Sequence, residues 1–294
     1  MRTAETTRDT EAKPSHLRTF RTSAWLGWMI ESNWTDPFVF AIYSIIRPIS
    51  TAAILIVMYL VIRGGDFSSP DFVNLYIGNA FFILVGAAIQ GVSFGILDDR
   101  EHYRTLKYIY IAPLRVPVYL IGRSVASILV ACFSVLITLG FGVIFLKMPI
   151  ALTEVKWGLF AGSFLLGLIV MGFMGLMLGS WTLIIKNNAW SLGESLGAGL
   201  LIFSGAVFPL SVLPAPLRWV GNALPISYWL TLIRRSLTPD IGRVYPMYTN
   251  LSDLQLILIL AGFTLIYGAL AALIYKRFDF IARERGNIDM VSNY

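Results

Sequence analysis

The chain has 294 residues, of which 56% are hydrophobic and only 14% are charged, and its mean hydropathy is +0.71. Because a soluble domain carries about a quarter charged residues, this composition excludes an ordinary soluble domain and indicates a polytopic membrane protein. The apolar blocks are continuous and reach the roughly 20 residues of a membrane-crossing helix, which favours an all-α integral membrane fold over a barrel. The net charge of +6 is spread over several loops, so it indicates contact with membrane lipid and not with nucleic acid.

The N-terminal part of the chain predicts a tail followed by a helix on the membrane surface. Residues 1–14 are polar and are expected to form a disordered cytoplasmic tail. Residues 15–36 combine apolar residues at helical spacing with tryptophans and arginines, which is typical of an interfacial helix. A plain solvated helix before the membrane is the alternative. The predicted apolar face consists of Leu17, Phe20, Ala24 and Trp28.

Six apolar runs predict a six-span transmembrane domain over residues 37–276. The predicted spans are 38–62, 72–97, 118–146, 157–185, 189–206 and 251–275. Between the last two, four prolines break an apolar segment at 207–237, which predicts a re-entrant or extracellular helical hairpin. Residues 277–294 are expected to be a second cytoplasmic tail. Three GxxxG pairs permit close helix contacts: Gly91/Gly95, Gly158/Gly162 and Gly175/Gly179.

The distribution of basic residues predicts the orientation of these spans. With six spans, 16 of the 23 lysines and arginines lie on the side that carries both chain ends. The positive-inside rule therefore places both termini in the cytoplasm, together with the charged stretch at 97–117.

The stretch at 97–117 is too charged to face lipid. Asp98 or Asp99 is suited to cap a helix beginning at Arg100, and prolines at 113 and 117 would end it. Helical spacing would then align Glu101, Arg104, Lys107 and Tyr108 on one polar and aromatic face. A docking helix and a solvated loop fit this spacing equally well.

No motif in the chain predicts a catalytic or nucleotide-binding site. A GxxxxGK[ST] phosphate loop, an HExxH motif and a nucleophile elbow are all missing from the sequence. We therefore expect no catalytic, cofactor-binding or metal site and no enzyme activity. If the protein does ATP-driven work, the motor must be another polypeptide.

Two segments resemble the ABC-2 type exporter permeases. The first runs from Glu101 through Thr105-Leu106 to Ala112-Pro113. The second comprises 203–214, 224–228 and Arg234, and is similar to the daunorubicin-type, multidrug-resistance branch. One departure concerns Arg104, which replaces the family's usual glycine, and Lys107, which stands where an acid is common.

The resemblance implies a half transporter that forms a homodimer or heterodimer and binds two cytoplasmic ABC ATPase subunits, which would hold ATP and Mg. The glycine pairs would pack at the dimer interface, and the complex would export a hydrophobic drug or lipid-like substrate across the cell (inner) membrane. The residues expected to couple to the ATPase are Asp99, Arg100, Glu101, Arg104, Thr105, Leu106, Lys107, Tyr108, Ala112 and Pro113, with Lys186 and Asn187 as a second contact.

A possible substrate path is predicted from polar and aromatic residues inside the spans: Arg47, Phe82, Gln90, Glu194 and Phe203. Arg47 and Glu194 would relieve each other's charge as a pair; local pairing and plain packing are the alternatives. Other functions stay open, among them sodium extrusion by the same family and the following two. One is export of a polysaccharide or glycolipid. The other is ion-coupled secondary transport, although that class needs internal repeats, and no convincing repeat is present.

Overall fold

The computed structural model describes residues 15–32, 37–185 and 188–287, and all regular structure within these ranges is helical. This confirms the predicted all-α fold class. The α-helices are α1 (His16–Ser32), α2 (Pro37–Arg63), α3 (Pro70–Leu97), α4 (Leu106–Ile111), α5 (Val116–Phe145), α6 (Trp157–Ile184), α7 (Ala189–Phe203), α8 (Ala215–Ala223), α9 (Pro225–Leu237), α10 (Pro239–Val244) and α11 (Asp253–Glu284). A π-helical turn occupies Asp98–His102 and a 3₁₀ turn occupies Leu210–Val212.

Five helices are long and apolar enough to cross a membrane: α2, α3, α5, α6 and α11. The predicted fifth span corresponds to α7, which has only 15 residues. At 1.5 Å per residue, α7 is about 22 Å long, which is shorter than the roughly 30 Å of a hydrocarbon core. α11 continues to Glu284, past the predicted end of the sixth span, so part of the predicted C-terminal tail is helical.

α3 lies at the centre of the bundle, packed against α5 and α6, while α11 packs on the far side of α6. The glycine pairs contribute to this packing inside the protomer. Gly91 lies against Ser124 of α5, and a Cβ on Gly175 would meet the carbonyl of Ala88 on α3. These two pairs therefore do not form the dimer interface that the resemblance implied. Among the three pairs in the described part of the chain, only Gly158/Gly162 faces open space.

The bundle has two ends with different chemistry. We call the end where α3 and α6 finish and α5 begins the α4 end. The opposite end, where α3, α6 and α11 begin, is the α9 end. There the predicted hairpin is present as α8 and α9, and α9 is buried along almost its whole length.

Arg234 fastens α9 to its neighbours and is completely buried. Its Nε donates to the carbonyl of Asn74 at 2.8 Å, and its Nη2 donates to the carbonyls of Gly205 and Ala206 at 2.8 and 3.0 Å. The guanidinium also stacks on the ring of Tyr245, 4.2 Å from its centroid. Burial lowers the pKa of Arg234 from its ordinary value. In the sequence, this arginine was noted only as part of the second segment that resembles the family.

α1 packs along the first half of α5 through small residues and not through the predicted apolar face. Thr19, Ser23 and Gly27 are buried, whereas Leu17 and Trp25 are exposed. Small side chains allow the two helix backbones to approach closely. The large apolar side chains are then left on the outside, where an interfacial helix contacts lipid.

Candidate functional site

The chain leaves α3 through a π-helical turn and not through a new capped helix. The amide of Tyr103 donates to the carbonyl of Asp98, five residues earlier, at 2.8 Å. Arg104 then takes a left-handed conformation with φ 54°, and α4 begins at Leu106. The predicted helix start at Arg100 is therefore wrong, because helical hydrogen bonding continues through Asp98 and Asp99 instead of ending before them.

Asp99 is buried between α3 and α5. Its Oδ2 accepts a hydrogen bond from the Tyr119 hydroxyl at 2.9 Å, and its Oδ1 lies 3.9 Å from Nε of Arg123. Nη2 of the same arginine lies 3.8 Å from Oδ2 of Asp98. Asp99 was predicted to face the ATPase, but its side chain joins two helices inside the protein.

Arg100 is also buried and joins α3 to the end of α6. Its Nη1 donates to the carbonyls of Thr182 and Ile185 at 3.0 and 3.2 Å. Its Nη2 donates to Oε1 of Glu101 at 2.8 Å. Because the last carbonyls of a helix have no intrahelical donor, Arg100 acts as the C-terminal cap of α6. It is therefore not a docking residue, contrary to the prediction.

One side of α4 is fixed to the bundle. Leu106 is buried, and the Tyr110 hydroxyl donates to Oδ1 of Asp279 on α11 at 2.8 Å. Arg283 donates to the other oxygen of Asp279 and stacks over the Tyr110 ring, 4.9 Å from its centroid. Burial raises the pKa of Tyr110, and the neighbouring Tyr275 and Asp279 raise it further, so the phenol remains a donor at neutral pH.

The opposite side of α4 is exposed. Tyr108 and Ile111 are 64% and 81% exposed, and the ammonium group of Lys107 lies 5.6 Å from the centre of the Tyr108 ring. We define the α4 surface as the exposed residues Tyr103, Arg104, Tyr108, Ile111 and Pro113. Of these, Tyr103 and Ile111 were missing from the predicted docking set.

The other predicted coupling residues are less exposed to solvent. Glu101, Thr105, Lys107 and Ala112 are half-buried around α4. The predicted second contact, Lys186 and Asn187, lies outside the described residues.

The predicted substrate path is not one cluster. Arg47 and Glu194 lie on helices with different neighbours, since α2 packs on α5 and α3, whereas α7 packs on α3 and α8. Gln90 donates to the carbonyl of Gly193 at 3.0 Å and so ties α3 to α7. Phe82 packs against the central core, and Phe203 is half-buried at the end of α7.

Three residues of the site were missed from the sequence: Tyr119, Arg123 and Thr182. Arg123 carried a usable signal, because an arginine inside an apolar run must find a partner. Glu31 on α1 also faces this cluster. Burial raises the pKa of Glu31, with Arg123 opposing the shift and Asp98 adding to it.

The family model of the ABC-2 type transporter matches residues 20–238, from α1 through the charged cluster and α4 to the end of α9. The match covers well over half of the chain. The chain belongs to the ABC-2 type transporter family. It is therefore a multi-pass membrane permease of an ABC transporter. No curated protein matches the chain significantly.

The arrangement gives this ABC-2 permease a path for mechanical force. α4 is fixed to α11 through Tyr110 and is joined covalently to the π turn, whose Asp99 and Arg100 contact α5 and α6. A displacement of the α4 surface would thus reach four long helices at once, because packed elements move as units.

Proposed function

We propose that this ABC-2 permease is the membrane subunit of an ATP-driven exporter that moves a hydrophobic drug or lipid-like substrate out of the cytoplasm or inner leaflet. It works as a dimer of permeases with two cytoplasmic ABC ATPase subunits, which bind ATP and Mg and perform all the hydrolysis. The complex lies in the cell (inner) membrane with both termini of this chain in the cytoplasm. The observation that carries the proposal is the α4 surface: exposed on one side and fixed to the bundle on the other.

The composition of the α4 surface supports docking to a protein. Tyrosine and arginine are the residue types most enriched at the energetic centres of interfaces, and Tyr103, Arg104 and Tyr108 are exposed together with the aliphatic Ile111. The buried side of α4 limits the entropy lost on binding, because the helix is held in place before the partner arrives.

The contacts at the two ends support a sixth crossing. The side-chain amide of Asn287 donates to the carbonyl of Ile184 at 3.1 Å, so α6 and α11 end side by side. Lys156 and Asp253 lie 3.7 Å apart, so the same two helices also begin side by side. The chain must therefore return across the bundle between them. We assign that return to α7 and the broken segment that follows it.

The substrate class rests on the resemblance of 203–214 and 224–228 to the daunorubicin-type branch. α7 supports it, since Trp190, Leu196 and Ile202 are exposed along this short helix in the protomer. Trp190 also stacks on Phe94 of α3, with ring centroids 4.3 Å apart. An apolar substrate would meet aromatic and aliphatic surface along this helix.

Coexpression with an ABC ATPase subunit from the source cell tests the docking step. The double variant Tyr108→Ala, Ile111→Ala removes two large side chains that pack against little else, so it should fold normally but lose co-purification of the ATPase. The matched control is Trp219→Ala, which removes an equally exposed aromatic side chain from α8. Equal recovery of the ATPase with both variants would defeat the docking role.

The export step is tested in inside-out membrane vesicles that contain the assembled complex. We expect ATP-dependent uptake of a lipophilic fluorescent dye, abolished by the same double variant. A complex that hydrolyses ATP while moving neither dye nor fluorescent phospholipid would contradict the substrate class but leave the docking result standing.

A further inference from the structure

A cluster at the α9 end carries more positive charge than its own acid balances. Asp253 begins α11 and lies near three cationic groups: Nη1 of Arg235 at 3.2 Å, Nη2 of Arg243 at 3.4 Å and Nζ of Lys156 at 3.7 Å. One carboxylate therefore faces three cations, which leaves an excess of two positive charges. The positive end of the α11 helix dipole lies at the same place.

A cavity of about 340 Å³ opens beside this cluster. The residues that line it are all polar or charged except one leucine: Arg235, Arg243, Thr249, Asn250, Leu251, Ser252 and Asp253. The side chains of Thr249 and Asn250 are exposed and make no hydrogen bond with another described residue. The cavity thus offers hydrogen-bonding groups that the folded chain has not used.

Arg235 lines the same cavity and keeps an unused hydrogen-bond donor beside it. Its Nη groups donate to the carbonyls of Leu251 and Tyr248 at 2.7 and 2.8 Å. Its Nε, in contrast, has no hydrogen-bond partner in the described structure, although the residue is only 3% exposed. A buried donor without an acceptor is costly, and here it belongs to a side chain that lines a polar cavity.

We propose that this cavity binds an oxyanion of the phosphate or carboxylate class. Guanidinium groups match the geometry of such anions better than any other side chain, and two of them line the cavity. A single negative charge would offset half of the excess left by Asp253. The exposed carboxylate of Asp240, three residues before Arg243, is the nearest other acid along the chain and forms no ion pair in the described structure. The oxyanion is either the headgroup of an anionic phospholipid or a free solute.

Thermal unfolding of the purified full-length permease tests this site. In an uncharged detergent, inorganic phosphate replaces chloride at constant ionic strength; in nanodiscs, phosphatidylglycerol replaces phosphatidylcholine. We expect at least one replacement to raise the unfolding temperature of the unmodified chain. The variant Arg243→Gln should weaken the apparent affinity about tenfold, as expected for loss of one charge-assisted contact of roughly 1.4 kcal/mol.

Lys147→Gln is the matched control, because it removes one exposed positive charge at the same end of the bundle but outside the cavity. A response to phosphate assigns the site to a soluble oxyanion, and a response to phosphatidylglycerol alone assigns it to a lipid headgroup. The proposal is overturned if neither replacement stabilises the protein, or if both variants respond equally. Should Arg243→Gln fail to fold, Arg243→Lys keeps the charge but loses the planar fork, and it should weaken binding by a smaller factor.

Discussion

The two ends of the bundle bury arginines in opposite ways. At the α9 end, Arg234 is completely enclosed, and its Nε and Nη2 donate to backbone carbonyls of two different segments, α3 and the residues that follow α7. At the α4 end, Arg123 faces acidic side chains at 3.8–3.9 Å, which is longer than a hydrogen bond, although Arg100 caps α6 through two backbone carbonyls. The short bonds of Arg234 to backbone carbonyls hold one geometry, whereas the long contacts of Arg123 with Asp98 and Asp99 do not. The difference indicates a fixed anchor at the α9 end and a movable joint at the α4 end.

The largest expected effect is the loss of the anchor. Arg234→Met should destabilise the protein by roughly 3 kcal/mol or more, because it removes a donor from three backbone carbonyls, of which that of Gly205 keeps only the longer bond from the Tyr245 hydroxyl. The control is Arg218→Met: this exposed arginine also donates to two loop carbonyls, those of Ser211 and Leu213. Water can hydrogen-bond these exposed carbonyls in place of Arg218, so the control should lower the free energy of unfolding by under about 0.5 kcal/mol. Equal unfolding midpoints for the two variants in detergent would contradict the anchor.

Two glycines sharpen the comparison further. A Cβ on Gly167 would overlap the buried indole of Trp229 on α9, which has no room to move. Gly167→Ala should therefore cost about 2 kcal/mol, in the range known for overpacked cores. At the α4 end, Gly95→Ala would meet only the side chain of Arg123, 3.2 Å away, which can shift. Its expected cost is below about 1 kcal/mol. If Gly95→Ala lowered the free energy of unfolding more than Gly167→Ala does, the α4 end would be the more rigid one, contrary to our account.

Arg100→Gln tests the joint itself. It removes the cap from the last carbonyls of α6 and the partner of Glu101, so we expect a loss of about 1–2 kcal/mol. ATPase binding should survive, since the α4 surface is unchanged, while ATP-dependent transport should fall. Arg104→Gln is the control on the α4 surface and should do the opposite: no loss of stability, but weaker ATPase binding. Loss of ATPase binding in Arg100→Gln at an unchanged unfolding temperature would place this arginine in the interface.

The smallest expected effect is a pH dependence at the α4 end. Because burial raises the pKa of Glu31, the folded state binds this proton more tightly than the unfolded state. The carboxyl group therefore costs stability once the pH rises through its folded pKa, and the cost disappears below its ordinary pKa. Glu31→Gln should be more stable than the unmodified chain at neutral pH, by less than about 1 kcal/mol after solvent screening. The unfolding temperature measured against pH for both proteins checks this, with Glu154→Gln as an exposed control.

Much of the helical framework was readable from the sequence. The apolar runs predicted the start of α6 at Trp157 and the end of α3 at Leu97, and the prolines predicted the α8–α9 hairpin. These features depend on local composition and on residues that cannot continue a helix.

The site was harder to read because its partners are distant in sequence. Asp98 and Asp99 are residue types that commonly cap a helix. No local signal distinguishes such a cap from a π turn that continues α3. The burial of Arg100 depends on carbonyls more than 80 residues away, and Arg234 depends on α3 and on the end of α7. Local spacing fitted a docking helix and a solvated loop equally well, and the resemblance supplied the docking residues. Of these, Tyr108 is exposed, but Asp99, Arg100 and Leu106 are buried.

Photo-cross-linking from the α4 surface tests the central claim most directly, and it does not require the substrate to be known. Benzoylphenylalanine in place of Tyr108 keeps an aromatic side chain at the proposed docking position, and the same residue in place of Trp219 is the control at the α9 end. In the complex with the ATPase, we predict that irradiation links position 108, and not position 219, to the ATPase subunit. An intact complex in which position 108 gives no such link would contradict the account.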